Sequence, residues 1–156
     1  IGSSGVWQVR GETVVGESGD GIGIAVADGT GTNGLLAGEL SVDSGTHSCG
    51  MLAHWQAQGG QGYAVRAYPR ENRVAIERLC AASGQPGLVL AQHYLDWRQG
   101  ERLDIQVFCD DEVIEAFIGN RVALSTSAYE ITGGSFGTFV VRGAAGFHSL
   151  SHARHP

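Results

Sequence analysis

The segment DDEVIEAFIGNRVALS places four carboxylates, Asp110, Asp111, Glu112 and Glu115, within six residues. Glycoside hydrolysis needs two carboxyl groups facing each other across a substrate at roughly 5 to 9.5 Å, usually from separate strands or loops. Asp110 and Asp111 are chain neighbours, and in an extended backbone neighbouring side chains diverge. A calcium loop would show acidic residues at alternating positions, a Gly at the bend and a distal Glu, which DDEVIEAF lacks. A turned hairpin accounts for more of the segment. RLDIQVFCD alternates, DDE bends the chain, VIEAFIG alternates again, and Gly119-Asn120 makes a second tight turn.

Other chemical signatures are sparse. The chain has no GxSxG elbow, no HExxH and no phosphate-binding glycine loop. GDGIGIAVADGTGTNG lacks the strand, loop and helix setting that lets glycines cradle phosphate, so its glycines read as turn residues. His148, His152 and His155 do not have tetrahedral zinc spacing. Cys49, Cys80 and Cys109 form no CxxC; they read as buried thiols, with one disulfide plus one thiol left open for a secreted protein. Trp7, Trp55 and Trp97 read as core or rim residues, Trp55 on a core-facing side and Trp97 anchoring the turn that leads into a strand.

A second constellation depends on strand parity. In GYAVRAYPRENRVAIERL, Pro69 to Asn72 form a four-residue turn that pairs Tyr68 with Arg73. Alternation then puts Val65, Ala67, Val74 and Ile76 on a core face, and Ala64, Arg66, Tyr68, Ala75 and Glu77 on a polar face. In the preceding strand, Met51, Ala53 and Trp55 lie on one side and Leu52 and His54 on the other. If sheet order follows sequence, His54, Arg66 and Glu77 meet. Planar guanidinium and carboxylate groups there would suit vicinal sugar hydroxyls. The alternative is a solvated face with an Arg–Glu pair worth at most about 1 kcal/mol.

These residues must be positioned by short strands. No helical pattern exceeds about two turns, and period-two alternation recurs between breaks rich in the 25 glycines of this 156-residue chain. About a dozen strands with no dividing linker or internal repeat predict one domain, 1–156: an all-β, jelly-roll-like (concanavalin-like) sandwich of two antiparallel sheets. All ten basic residues are Arg, and the net charge is −6. Neither nucleic acid nor a membrane is an expected partner, and neutral ligands suit the surface better than polyanions. No run of 18 apolar residues is present and IGSSGVWQVRGE has no signal-peptide layout, so the chain reads as a soluble, mature or excised piece.

Several segments together resemble known families. RLDIQVFCDDEVIEAFIGNRVALSTSAYE resembles the closing hairpins of the C-terminal β-sandwich of family 32 glycoside hydrolases (invertases, levanases and inulinases), with Asp110 or Asp111, Val113, Glu115 and Phe117 in the matching positions. The order CGMLAHW, GYAVRAY, RVAIERL, DWRQGE, then Tyr129 and GGSFGTFVVRGAAGFHSL resembles the related family 66 carbohydrate-binding modules over roughly residues 35 to 150.

This resemblance implies a secreted, bacterial, non-catalytic module that binds a terminal sugar, fructose of levan or inulin, and targets an attached glycoside hydrolase to its polysaccharide. The implied ligand-binding residues are Glu39, His54, Arg66, Glu77, Tyr129 and Arg142. Two departures stand out. His54 occupies a position where related modules often carry Arg, and Val141-Arg142 replaces an aromatic. No cofactor is expected, with a structural calcium left open. The rival readings are a purely structural sandwich of a glycosidase and a small hydrolase on a lectin-like fold. Arg66→Ala and Tyr129→Ala are expected to abolish sugar binding with little change in thermal stability.

Overall fold

The structure is a computed structural model that describes residues 3–27, 31, 33–81, 87–98 and 100–154. Expectations that fall on 28–30, 32, 99 and His155 lie outside the described residues. The strands are β1 (Ser3–Ser4), β2 (Val6–Arg10), β3 (Thr13–Val26), β4 (Gly34–Val42), β5 (Ser48–Gln56), β6 (Gln61–Tyr68), β7 (Arg73–Cys80), β8 (Leu88–Tyr94), β9 (Leu103–Asp110), β10 (Val113–Ile118), β11 (Val122–Ser127) and β12 (Ser135–Arg154). Among the described residues all strand pairings are antiparallel, as an alternating sequence cut by tight turns favours.

The expected jelly-roll-like sandwich forms, and its two layers share the long β3–β12 ladder. The early part of β12, Gly137 to Val141, lies between β3 and β5, and that layer continues through β6, β7 and β8. The later part, from Ala145 onward, lies between β3 and β4, and the second layer continues through β9, β10 and β11. Sequence reading divides residues 135–154 into two strands. They form one, because the bend is absorbed by a bulge at Arg142 (φ 43°) and Gly143 (φ 143°). A side chain at Gly143 would collide with Thr46, its Cβ only 2.5 Å from the Thr46 Cα, so a residue without one is required there.

The main core lies between the layers, with Met51, Val65, Ile76, Ile105, Ile114 and Phe147 fully or almost fully buried. Both sequence-predicted hairpins close as expected. Asn72 (φ 49°) ends the Pro69–Glu71 3-10 turn, and Tyr68 pairs with Arg73. Asp110 pairs with Val113 across the two-residue turn, where Asp111 has φ 50°. Ile114, Ala116 and Ile118 are buried, while Glu115 and Phe117 face outward. The four opening carboxylates are therefore turn and outer-face residues.

A smaller apolar cluster covers the outer face of the first layer: Ile24, Leu52, Trp55, Ala64, Leu79 and Phe139. Trp55 belongs here because β5 has a bulge between Ala53 and Gln56, with His54 at φ 50°. One extra residue reverses side-chain parity beyond it. Trp55 thus joins Leu52 on the outer cluster, opposite to the expected side. The same bulge turns His54 inward, where its ring meets Tyr63 edge-on at 6.1 Å and Nδ1 lies 3.1 Å from the Ile131 carbonyl.

Candidate functional site

Registers in the first layer align Phe139 with Gly50, Gly50 with Arg66 and Arg66 with Ala75, all on the outer face. Gly50 has no side chain to stand between Arg66 and Phe139, and the guanidinium lies 5.1 Å from the Phe139 ring centroid. One row over, Tyr68 pairs with Arg73; in the other direction, Ala64 pairs with Glu77. Parity therefore delivers Arg66, Tyr68, Arg73 and Glu77 to one patch.

There they form a buried network. Arg66 Nη1 lies 3.1 Å from Glu77 Oε2 and donates to the Tyr68 hydroxyl at 3.0 Å, and that hydroxyl donates to Glu77 Oε1. Arg66 is 6% exposed and Glu77 1%. The pair is therefore not the solvated one of the alternative reading; it is removed from water, with the outer apolar cluster around it. The Arg73 guanidinium stacks 3.8 Å from the Tyr68 ring centroid, and Glu71 Oε2 accepts from its Nε and Nη2 at 3.1 and 2.8 Å. Burial, followed by the hydrogen bond to Glu77, raises the Tyr68 phenol above its ordinary range, so the hydroxyl stays a donor at neutral pH.

Two polar atoms of this network have no hydrogen-bond partner: Arg66 Nε and Glu77 Oε2. The Nη1–Oε2 contact at 3.1 Å is close enough for ion pairing but is not aligned as a hydrogen bond. A buried polar atom left this way costs about 1–3 kcal/mol. Gly87 faces the carboxylate, and a Cβ at that position would stand 2.8 Å from Glu77 Oε2.

Arg66 opens onto a cavity of about 480 Å³ lined also by His47, Tyr68, Glu71, Arg73, Cys80 and Arg142. Small-ligand pockets span about 300–1,000 Å³, so this one accommodates a ligand the size of a sugar unit. Burial, and then the charges of Arg142 and Arg66, lower the His47 pKa below its usual 6.5.

Of the six sequence-predicted residues, Arg66 and Arg142 line this cavity and Glu77 pairs with Arg66 beside it. The other three are elsewhere. His54 is turned into the main core by the bulge, so the expected His54–Arg66–Glu77 cluster does not form. Glu39 projects from β4 in the second layer and pairs with Arg102 at 3.2 Å. Tyr129 is 67% exposed beyond β11, beside Glu130, which pairs with Arg78. Arg78 follows Glu77, so its parity sends its side chain to the opposite face.

His47 and Arg73 were missed. The Tyr68–Arg73 pairing held a signal for Arg73, whereas His47 reaches the cavity through a register that no local pattern fixes. Cys49 and Cys109 are buried as expected; Cys80 is exposed, and no disulfide joins the three. Trp97 donates from Nε1 to the Glu101 carbonyl at 2.9 Å, anchoring its turn. Among the described residues no group of His, Cys, Asp or Glu is arranged to hold a metal ion. Among the described residues no helix is long and apolar enough to cross a membrane.

No protein-family model matches the chain, and no curated protein matches it in sequence. Solved structures do. Carbohydrate-binding module CBM66 from Bacillus subtilis superposes with a TM-score of 0.86 at 14% identity, over 97% of this chain and 93% of that one. A fructosyltransferase from A. japonicus matches with a TM-score of 0.69 at 17% identity, over 98% of this chain but 26% of that one. The galectin LEC-6 of Caenorhabditis elegans matches with a TM-score of 0.55 at 12% identity, over 84% and 89%. The resemblance seen in the sequence is thus met by a shared fold, the β-sandwich of a carbohydrate-binding module, which also occurs as part of a larger enzyme chain.

Proposed function

We propose that this domain is a non-catalytic carbohydrate-binding module that holds one terminal sugar of a polysaccharide in the Arg66 cavity. The observation that carries the reading is the buried Arg66–Tyr68–Glu77 network, which leaves a donor (Arg66 Nε) and an acceptor (Glu77 Oε2) unpaired beside a cavity of sugar size. A pair of vicinal hydroxyls would satisfy both, one accepting from Nε and the other donating to Oε2. Gly87 packs against the acceptor, and a side chain there would displace the carboxylate, its Cβ standing 2.8 Å from Oε2. Glu77 and Glu71 are both held by guanidinium groups, so the cavity is arranged for binding rather than for acid and base roles.

The sequence resemblance names fructose of levan or inulin as the sugar, and the likeness to CBM66 and to a fructosyltransferase domain supports starting there. A module of this kind works in a secreted protein by raising the effective concentration of an attached glycoside hydrolase at its polysaccharide. Affinity gels and titration calorimetry with levan, inulin and neutral glycans test this. Saturable binding with Kd on the order of micromolar to millimolar is expected. It should be lost in Gly87→Ala and kept in Tyr129→Ala. Retention by no glycan, or release of reducing sugar by the chain itself, overturns the proposal.

A further inference from the structure

Three guanidinium groups, Arg66, Arg73 and Arg142, face the cavity together with one carboxylate, Glu71, and Glu77 lies beside Arg66. With His47 neutral, three positive and two negative charges leave the site at +1, in a chain whose net charge is −6. The charges are not equally available. Glu77 is held by Arg66 and Tyr68, and Glu71 is held by the Nε and Nη2 of Arg73. Arg66 Nε and Glu77 Oε2 each lack a hydrogen-bond partner, and the one charge left without a counter-charge is the Arg142 guanidinium, which has no ion pair or hydrogen bond among the described residues.

We infer that the sugar held in this cavity carries a carboxylate, placed against Arg142 and the unpaired Nε of Arg66. The guanidinium fork matches a carboxylate in plane and spacing and donates without needing to accept, whereas a neutral hydroxyl would leave the excess positive charge uncompensated. The lowered His47 pKa, to which both arginines contribute after burial, reports the same local positive potential.

The net charge of the whole chain, −6, limits the ligand further. At physiological ionic strength charges are screened over about 8 Å, so a carboxylate inside the cavity responds to the arginines at contact range, while a long polyanion also meets the rest of a chain whose net charge is −6. The ligand class is therefore an acidic end unit on an otherwise neutral glycan. This inference rests on the sugar-binding reading above and departs from the neutral fructose that the sequence resemblance implies.

The test compares methyl glycosides of glucuronic, galacturonic and mannuronic acid with their neutral methyl esters by titration calorimetry, with levan, inulin and glucose 6-sulfate as parallel arms. At least one acid should bind about tenfold tighter than its own ester, the ratio expected of one charge-assisted hydrogen bond. That ratio should shrink toward one in 1 M NaCl and in Arg142→Gln. Arg142 is exposed, so the variant should keep the wild-type melting temperature. Equal binding of every acid and its ester overturns the carboxylate assignment, as does preference for the sulfate over all acids. If fructans bind and the acids do not, the inference fails while the sugar-binding proposal stands. If no arm binds, both fail.

Discussion

Two acidic regions behave in opposite ways. The β9–β10 turn concentrates four carboxylates in six residues, and they lie on the turn and the outer face of the second layer. Beside the cavity the described residues offer two, Glu71 and Glu77, six residues apart in sequence, and Glu77 is almost completely buried and engaged with Arg66 and Tyr68. Density of charge along the chain marks where water is. A single charge that parity places among apolar neighbours marks where interaction energy is concentrated, because an ion out of water must be matched by partners.

The largest effect should come from removing one member of the buried pair. Glu77→Ala or Arg66→Ala should lose roughly 3–5 kcal/mol in urea unfolding, since each leaves an uncompensated buried charge. That replaces the sequence-based expectation that Arg66→Ala is thermally silent. Asp110→Ala and Glu115→Ala should stay within about 0.5 kcal/mol. Equal effects in the two regions would dissolve the contrast.

Replacing both partners, Arg66→Met with Glu77→Leu, should recover most of the loss in a double-mutant cycle while abolishing sugar binding. Retained binding would remove the network from the site.

Thiol chemistry sharpens the comparison without mutation. Cys80 at the cavity rim should react with a thiol reagent in the folded state, and more slowly with sugar bound. Cys49 and Cys109 should react only on unfolding, burial having pushed both thiols up, Cys109 to about 12.

The smallest effect concerns pH. His47, His148 and His152 all have pKa values lowered, first by burial and then by neighbouring arginines. The unfolded chain then binds more protons, so stability is fully present above about pH 6.5 and declines as pH falls through the lowered values. A melting temperature modestly lower at pH 5.5 than at pH 7.5 is expected, with His47→Gln reducing the difference. A rise on acidification would contradict it.

Sequence reading succeeded where structure is local. The PREN and DDE hairpins, and the shared face of Arg66, Tyr68 and Glu77, follow from alternation and a short turn. It failed at His54, where a bulge without a glycine of its own reversed parity and exchanged the expected faces of His54 and Trp55. The matching sign, Gly134, is 80 residues downstream and has no room for a Cβ against the His54 backbone. Glu39 and Tyr129 come from the family resemblance and not from alternation, and both lie away from the residues that line the Arg66 cavity.

The β3–β12 ladder shared by the two layers governs how the protein forms. Thr13 pairs with His148, and the rest of the β3–β12 ladder also joins distant parts of the chain. Neither layer is complete until residues 135–154 are available to pair with β3, β4 and β5. Such non-local pairing places folding in the slow range, on the order of milliseconds to seconds. It also makes the bend at Arg142 the point through which one layer's fluctuations reach the other. Amide protons on either side of that bend should exchange with solvent in a single cooperative event.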